Sequence, residues 1–149
     1  MVLPLFDSWI KVEKEKCFIL YGIVMKILVA EDNLMNQHLM SRYMSKLGWD
    51  CEIVENGLLA TEACRNGDFQ AILMDIDMPV LDGIEATRYI RVFNKQIPII
   101  AITAYADDQM RTECAEAGMN AFIAKPCSRE DIREIITECV EISTYKVAG

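Results

Sequence analysis

The stretch "ILMDIDMPVLDG", residues 72 to 83, decides how the rest of the chain is read. An apolar run stops abruptly at Asp75. A second acid follows at Asp77, then Pro79, then the pair Asp82-Gly83. A short, unbroken apolar segment bounded by turn-forming residues suits a strand buried on both faces. Such a strand carries its last residue, a carboxylate, to the rim of a sheet.

Working outward, four more segments have the same character: "KILVA" (26–30), "CEIVE" (51–55), "IPIIAIT" (97–103) and "NAFIAK" (120–125). Segments with helical spacing lie between them. Residues 34–47 place Leu39, Met40, Tyr43, Met44 and Leu47 on one stripe, stopped by Gly48. Met35, Met40 and Met44 read as core, and His38 as helix surface. Residues 58–65 form a shorter helix ending at Asn66-Gly67. Residues 82–93 turn Ile84, Thr87, Ile90 and Phe93 inward, and 107–117 end at Gly118. Ser128, with Asp131 three residues on, caps a last helix running to about Ile142. Five strand–helix units predict a parallel sheet with helices on both faces, connected right-handedly.

Composition narrows the class. With 149 residues, 52% hydrophobic and 26% charged, the chain suits one globular domain. A net charge of −8 and the lack of a basic stripe argue against a nucleic-acid surface. Cys17, Cys51, Cys64, Cys114, Cys127 and Cys139 form no CxxC pair, and the lone His38 completes no metal-ligand spacing. They read as reduced, mostly buried thiols of a cytoplasmic protein. "CFILYGIVMKILVA" (17–30) is too short for a bilayer span and is interrupted by Lys26. A signal peptide fits poorly with Asp7, Glu13 and Glu15, and cleavage near Ala30 would remove the first strand. Residues 1–24 fall outside the alternation. They hold an amphipathic piece (Phe6, Trp9, Ile10) and read as an extension, a linker, or sequence ahead of a start at Met25. The domain is expected over 25–145, with 146–149 a tail.

In an open parallel sheet, ligands bind beyond the carboxyl ends of the strands. The first strand ends in Glu31-Asp32-Asn33, the third in Asp75, the fourth in Thr103-Ala104 and the fifth in Lys125-Pro126. Three carboxylates, a hydroxyl and an ammonium are therefore expected on one rim. Two carboxylates about 4 Å apart repel by ~4 kcal/mol at an effective dielectric of ~20, so the cluster needs a counter-charge. Oxygen ligands with room for water suit Mg2+. A carboxylate beside that ion is a nucleophile towards phosphorus. Each residue also has an ordinary reading: Asp75 as a turn residue, Glu31, Asp32 and Asn33 as helix caps, Thr103 as core, Lys125 as a solvated strand end.

Taken together, "ILVAEDN", "ILMDIDMPVLDG", "IPIIAITA" and "FIAKP" resemble the receiver domain of response regulators in two-component signalling, in the style of receivers attached to hybrid histidine kinases. The resemblance covers about residues 25 to 145. It implies a flavodoxin-like, doubly wound α/β fold with strand order 2-1-3-4-5. It makes Asp75 the phosphoacceptor, Glu31 and Asp32 the acidic pair holding Mg2+ (Mn2+ being an alternative), and the Asp77 backbone carbonyl a further metal ligand. Thr103 would bond a phosphoryl oxygen, Lys125 would pair with the phosphoaspartate, and Phe122 would be the aromatic switch. The Lys125-Pro126 bond is often cis in this family. The implied partner is a histidine kinase or histidine phosphotransfer protein. The signal would leave through the fourth helix, fifth strand and fifth helix, a face that also suits a homodimer. Self-catalysed phosphorylation and dephosphorylation are expected, not turnover of a small substrate.

Glu31 stands where Asp is frequent, and Leu34 where Pro is. Asp77 and Tyr105 are expected to border the phosphoryl group and set its lifetime, Asp77 by altering the approach of water and Tyr105 by shielding. "DIDMP" also resembles the DxDx(T/V) motif of haloacid-dehalogenase-type phosphatases. Pro79 breaks that motif, and it normally follows a first strand. A degenerate receiver used only for binding is opposed by the competent residues at all the site positions. A stand-alone regulator, a relay intermediate and a piece of a larger kinase remain open, as do the pathway and the cognate kinase.

Overall fold

The protein is described here by a computed structural model over residues 24–148. Cys17 and the Phe6, Trp9 and Ile10 piece lie outside the described residues.

Five parallel strands form one sheet in the order β2-β1-β3-β4-β5: β1 (Lys26–Ala30), β2 (Asp50–Val54), β3 (Ala71–Asp75), β4 (Ile99–Thr103) and β5 (Ala121–Ala124). This is the expected doubly wound arrangement. β3 is central, with Leu73 in register with Val29 on one side and Ile100 on the other. Its five residues are all buried, as are those of β4.

The helices are α1 (Leu34–Leu47), α2 (Gly57–Asn66), α3 (Gly83–Phe93), α4 (Asp108–Ala117) and α5 (Arg129–Ala148). Side chains alternate across β3, and each face has its own core. Ile72 and Met74 join Ala60, Cys64, Ala86, Ile90 and Cys114 under α2, α3 and α4. Ala71 and Leu73 join Met40, Met44, Ile132 and Ile136 under α1 and α5. A fully buried Leu, Ile or Met contributes roughly 1.5–3 kcal/mol, so β3 and β4 are firmly held between the two cores.

Several expectations need correction. β2 and β5 are not buried on both faces, because each is an edge strand with a single neighbour; Asp50 and Glu52 face water. Met35 is 78% exposed instead of packed in the core. It precedes Met40 by five residues, which places it about 140° round the helix from the Met40–Met44 stripe. Leu39 is likewise 38% exposed, one residue off that stripe, and Phe93, expected to turn inward, is exposed at the end of α3. Asp82 and Asp107 are caps, not first helical residues: their carboxylates accept from the Glu85 and Met110 N–H groups. The last helix continues past Ile142 to Ala148, since no Gly or Pro interrupts it. Ser128 and Asp131 form the expected reciprocal cap, with Ser128 N–H donating to Asp131 Oδ2 at 2.8 Å and Asp131 N–H to Ser128 Oγ at 3.1 Å. Cys51, Cys64, Cys114, Cys127 and Cys139 are free thiols; Cys64 and Cys114 are buried and the others half-buried. Among the described residues, no helix is long and apolar enough to cross a membrane.

Candidate functional site

The rim at the carboxyl ends of β1, β3, β4 and β5 carries the chemistry. Burial of β3 on both faces holds Asp75 at the strand end, 5% exposed. Beyond it a loop over residues 76–82 returns the chain to the strand end to start α3, and Gly83 makes that close approach fit. Gly83 N–H donates to the Ile76 carbonyl at 2.9 Å. A Cβ at Gly83 would run into the Asp75 carbonyl oxygen and lie 2.9 Å from Met74 Cγ. Asp77 is exposed, and its N–H reaches Asp75 Oδ1 at 3.3 Å.

Glu31, at the end of β1, is 2% exposed. Its Oε1 accepts from the Asn33 N–H at 3.0 Å, and its backbone carbonyl accepts from Gln37 Nε2 at 2.7 Å. Asn33 meanwhile caps α1. Lys125, just past β5, spans the two buried acids: its Nζ donates to Glu31 Oε2 at 2.8 Å and to Asp75 Oδ2 at 2.9 Å. Its backbone N–H donates to the Thr103 carbonyl at 2.7 Å, and the Lys125-Pro126 bond is cis. Thr103 is fully buried, its hydroxyl accepting from the Tyr105 N–H at 3.1 Å. Asp32 is exposed beside this group. Carboxylate oxygens of Glu31, Asp32 and Asp75 all lie within 4.8 Å of one another.

Three carboxylates face one ammonium, so the cluster carries two uncompensated negative charges when all four groups are ionised. Burial pushes the Asp75 carboxyl up to about 6, and the Glu31 charge adds to this against the pull of Lys125. Glu31 is also desolvated, but its hydrogen bonds from Lys125 and the Asn33 N–H outweigh that and hold its carboxyl below the ordinary value. Burial works against the Lys125 ammonium; its two carboxylate partners outweigh it and raise the pKa. An all-oxygen donor set with excess negative charge and one solvent-facing member fits Mg2+, which takes few protein ligands and keeps water.

The expected cluster of Glu31, Asp32, Asp75 and Lys125 is thus assembled. Thr103 stands on the same rim, turned to the loop backbone. Tyr105 is 67% exposed at the edge, and Phe122 is half-buried in β5. Two contributors had no visible signal in the sequence. Gln37 clamps the Glu31 carbonyl only because α1 folds back over the end of β1. The Arg111 guanidinium lies 4.9 Å from the centre of the Phe122 ring, a contact made by the packing of α4 against β5.

Residues 27–137 match the family model described as the response regulator receiver domain. Hybrid signal transduction histidine kinase G of Dictyostelium discoideum is 38% identical over 117 residues, which is 75% of this chain and 3% of that kinase. The chain therefore spans a small part of such relatives. The receiver domain of sensor histidine kinase PA1611 from Pseudomonas aeruginosa PAO1, solved with magnesium in its active-site cleft, superposes with a TM-score of 0.75 at 37% identity, covering 80% of this chain and 99% of that one. The receiver of Saccharomyces cerevisiae Ssk1, solved with the histidine phosphotransfer protein Ypd1, gives a TM-score of 0.73 at 29% identity over 77% of this chain and 88% of that one. The match runs across the whole sheet, with the acidic cluster at its carboxyl rim, a cluster compatible with Mg2+ and with phosphorylation of an aspartate. The chain belongs to the response regulator receiver domain family.

Proposed function

We propose that Asp75 accepts a phosphoryl group from a phosphohistidine donor, making the domain a phosphoaspartate switch in a phosphorelay. The observation that carries this reading is Lys125 Nζ bridging Glu31 and Asp75 at 2.8 and 2.9 Å inside the acidic cluster. In the transfer, an Asp75 carboxylate oxygen forms a bond to phosphorus as the phosphorus–nitrogen bond of the donor breaks, and the electron pair leaves with the imidazole nitrogen. Little covalent chemistry is asked of the protein; alignment and charge neutralisation supply the rate. The rigid β3 aims Asp75, Lys125 neutralises one phosphoryl oxygen, and the Thr103 hydroxyl turns from the loop backbone to donate to another. Glu31, Asp32 and Asp75, with the Asp77 carbonyl, would hold Mg2+ (or Mn2+), which neutralises phosphoryl charge when bound. Hydrolysis reverses the state: water oxygen attacks phosphorus and the Asp75 carboxylate leaves.

The partner is a histidine kinase or histidine phosphotransfer protein in the cytoplasm. The changed surface is α4–β5–α5, which Arg111 ties to Phe122 across the α4–β5 contact and which also suits a homodimer. The domain promotes its own phosphorylation and dephosphorylation and turns over no small phosphoester.

Incubation with acetyl phosphate and Mg2+, or with a phosphorylated phosphotransfer protein, adds one alkali-labile phosphoryl group by mass spectrometry, and EDTA prevents it. Absence of the adduct with every donor, or its mapping to a residue other than Asp75, overturns the reading. Tyr105 and Asp77 then set the lifetime. Tyr105→Ala opens the approach to water and speeds autodephosphorylation by up to about tenfold, equivalent to ~1.4 kcal/mol. Asp77→Asn removes the negative charge beside the attacking water and slows it to a similar degree. Decay of the phosphorylated protein followed over time checks both; unchanged rates remove these two residues from that role.

A further inference from the structure

Of the three carboxylates on the rim, two are fixed at both oxygens. Glu31 Oε1 accepts from the Asn33 N–H at 3.0 Å and Oε2 from Lys125 Nζ at 2.8 Å. Asp75 Oδ1 accepts from the Asp77 N–H at 3.3 Å and Oδ2 from Lys125 Nζ at 2.9 Å. Asp32 differs. It is exposed, and no hydrogen bond or ion pair holds its carboxylate among the described residues. Its place in the cluster, within 4.8 Å of the other two, is therefore set by the backbone that carries it.

One side chain pins that backbone. The Glu31 N–H donates to the Val54 carbonyl at 2.9 Å and closes the β1–β2 ladder. Past the ladder, the Glu31 carbonyl accepts from Gln37 Nε2 at 2.7 Å, across six positions. The peptide joining Glu31 to Asp32 is planar, so holding its oxygen also restrains the nitrogen and Cα of Asp32. Gln37 is itself firmly based. It is half-buried one turn into α1, with its backbone N–H on the Asn33 carbonyl at 2.9 Å. Positions 37, 40 and 44 share one face of the helix, and Met40 and Met44 are buried in the core. The packing of α1 on the sheet thus keeps Gln37 over the end of β1. A donor held in this way gives the ligand-bearing peptide one orientation, where solvent would allow several.

We propose that Gln37 is a positioning residue for Mg2+: by clamping the Glu31–Asp32 peptide it keeps the otherwise unanchored Asp32 carboxylate where the ion needs it. This rests on the metal reading of the acidic cluster given above. Groups that orient metal ligands contribute roughly 10–100-fold to affinity, and a clamp on one ligand's backbone belongs at the low end. Gln37→Met keeps the length and helical preference of the side chain and removes the donor. Its Mg2+ affinity, read without any phosphoryl donor from the rise of melting temperature with Mg2+ concentration, falls by about tenfold. Gln37→Ala does the same, and His38→Ala, at the neighbouring exposed position of α1, leaves the affinity unchanged. On an Asp32→Asn background Gln37→Met costs less than about twofold more, since both act through one ligand. With acetyl phosphate, the Mg2+ concentration giving half the maximal phosphorylation rate rises by the same factor, and the rate at saturating Mg2+ is kept. The proposal is overturned if the Gln37 variants bind Mg2+ like the parent, even where they melt lower in chelator. It is also overturned if His38→Ala weakens binding equally, or if the losses from Gln37→Met and Asp32→Asn multiply. Affinities that separate as expected while no variant or parent accepts a phosphoryl group at saturating Mg2+ support the clamp and overturn only the phosphoacceptor reading.

Discussion

Asp75→Asn eliminates phosphoryl acceptance and, in metal-free buffer, raises the melting temperature. Both effects have one cause: a buried carboxylate placed for chemistry against its own solvation. The Asp75 carboxyl titrates at about 6 in the fold against 3.8 in an unperturbed chain, because it is desolvated and close to Glu31. It therefore binds its proton more tightly folded than unfolded. The stability this gives is fully present below about pH 4 and is lost as pH rises through 6. The gap corresponds to about 3 kcal/mol at most. Asparagine carries no charge to desolvate, and Lys125 keeps its partner Glu31 at 2.8 Å. Allowing for the lost Lys125–Asp75 pair, the variant gains about 1–2 kcal/mol at neutral pH, or roughly 3–8 °C. Thermal melts of both proteins in chelator between pH 4 and 8 check this. A difference that does not grow with pH, or a variant less stable at pH 7.5, contradicts the electrostatic account. Any acyl phosphate on the variant contradicts the assignment of Asp75.

Gly83→Ala acts in the opposite direction on stability. The added methyl has no room between the Asp75 carbonyl oxygen and Met74 Cγ, so the start of α3 must move off the end of β3. Both sides of the contact are buried and one is sheet backbone, which cannot yield without disturbing the central strand. The expected loss is about 3 kcal/mol or more, at the upper end of overpacking costs. Gly48→Ala is the useful contrast. Gly48 sits at φ 71 with nothing within 4 Å of an added Cβ, so only the left-handed backbone is penalised, by roughly 1–2 kcal/mol. Urea denaturation of the two variants separates the mechanisms. If Gly83→Ala costs no more than Gly48→Ala, the close approach of α3 to β3 is not real. Phosphorylation of the Gly83 variant also slows, because an Asp75 displaced by a fraction of an ångström is no longer aligned.

Most of the architecture was legible before any folding. The five apolar runs became five strands, with ends moved by one or two residues, because two-sided burial leaves a continuous hydrophobic signature. Where that burial fails, at the edges, the reading failed too: Asp50 and Glu52 in β2 alternate with half-buried neighbours. Met35 was misplaced because a methionine signals hydrophobicity and not direction, and direction depends on which turn of α1 meets the sheet. The acidic rim was legible because strand ends in a parallel sheet share one side, so Glu31, Asp32, Asp75, Thr103 and Lys125 had to be neighbours in some arrangement.

Residue order was enough to specify the strands, the alternation with helices, and the identity of the groups gathered at the rim, because these follow from short-range periodicity and strand polarity. Folding in three dimensions decided which of those groups touch. Lys125 pairs with Glu31 across 94 positions and with Asp75 across 50, and the Gln37 clamp, the Arg111–Phe122 stack and the absence of space at Gly83 arise in the same way. Such contacts depend on distances between elements that meet only after the sheet has closed and its helices have packed, so they leave no periodic trace along the chain.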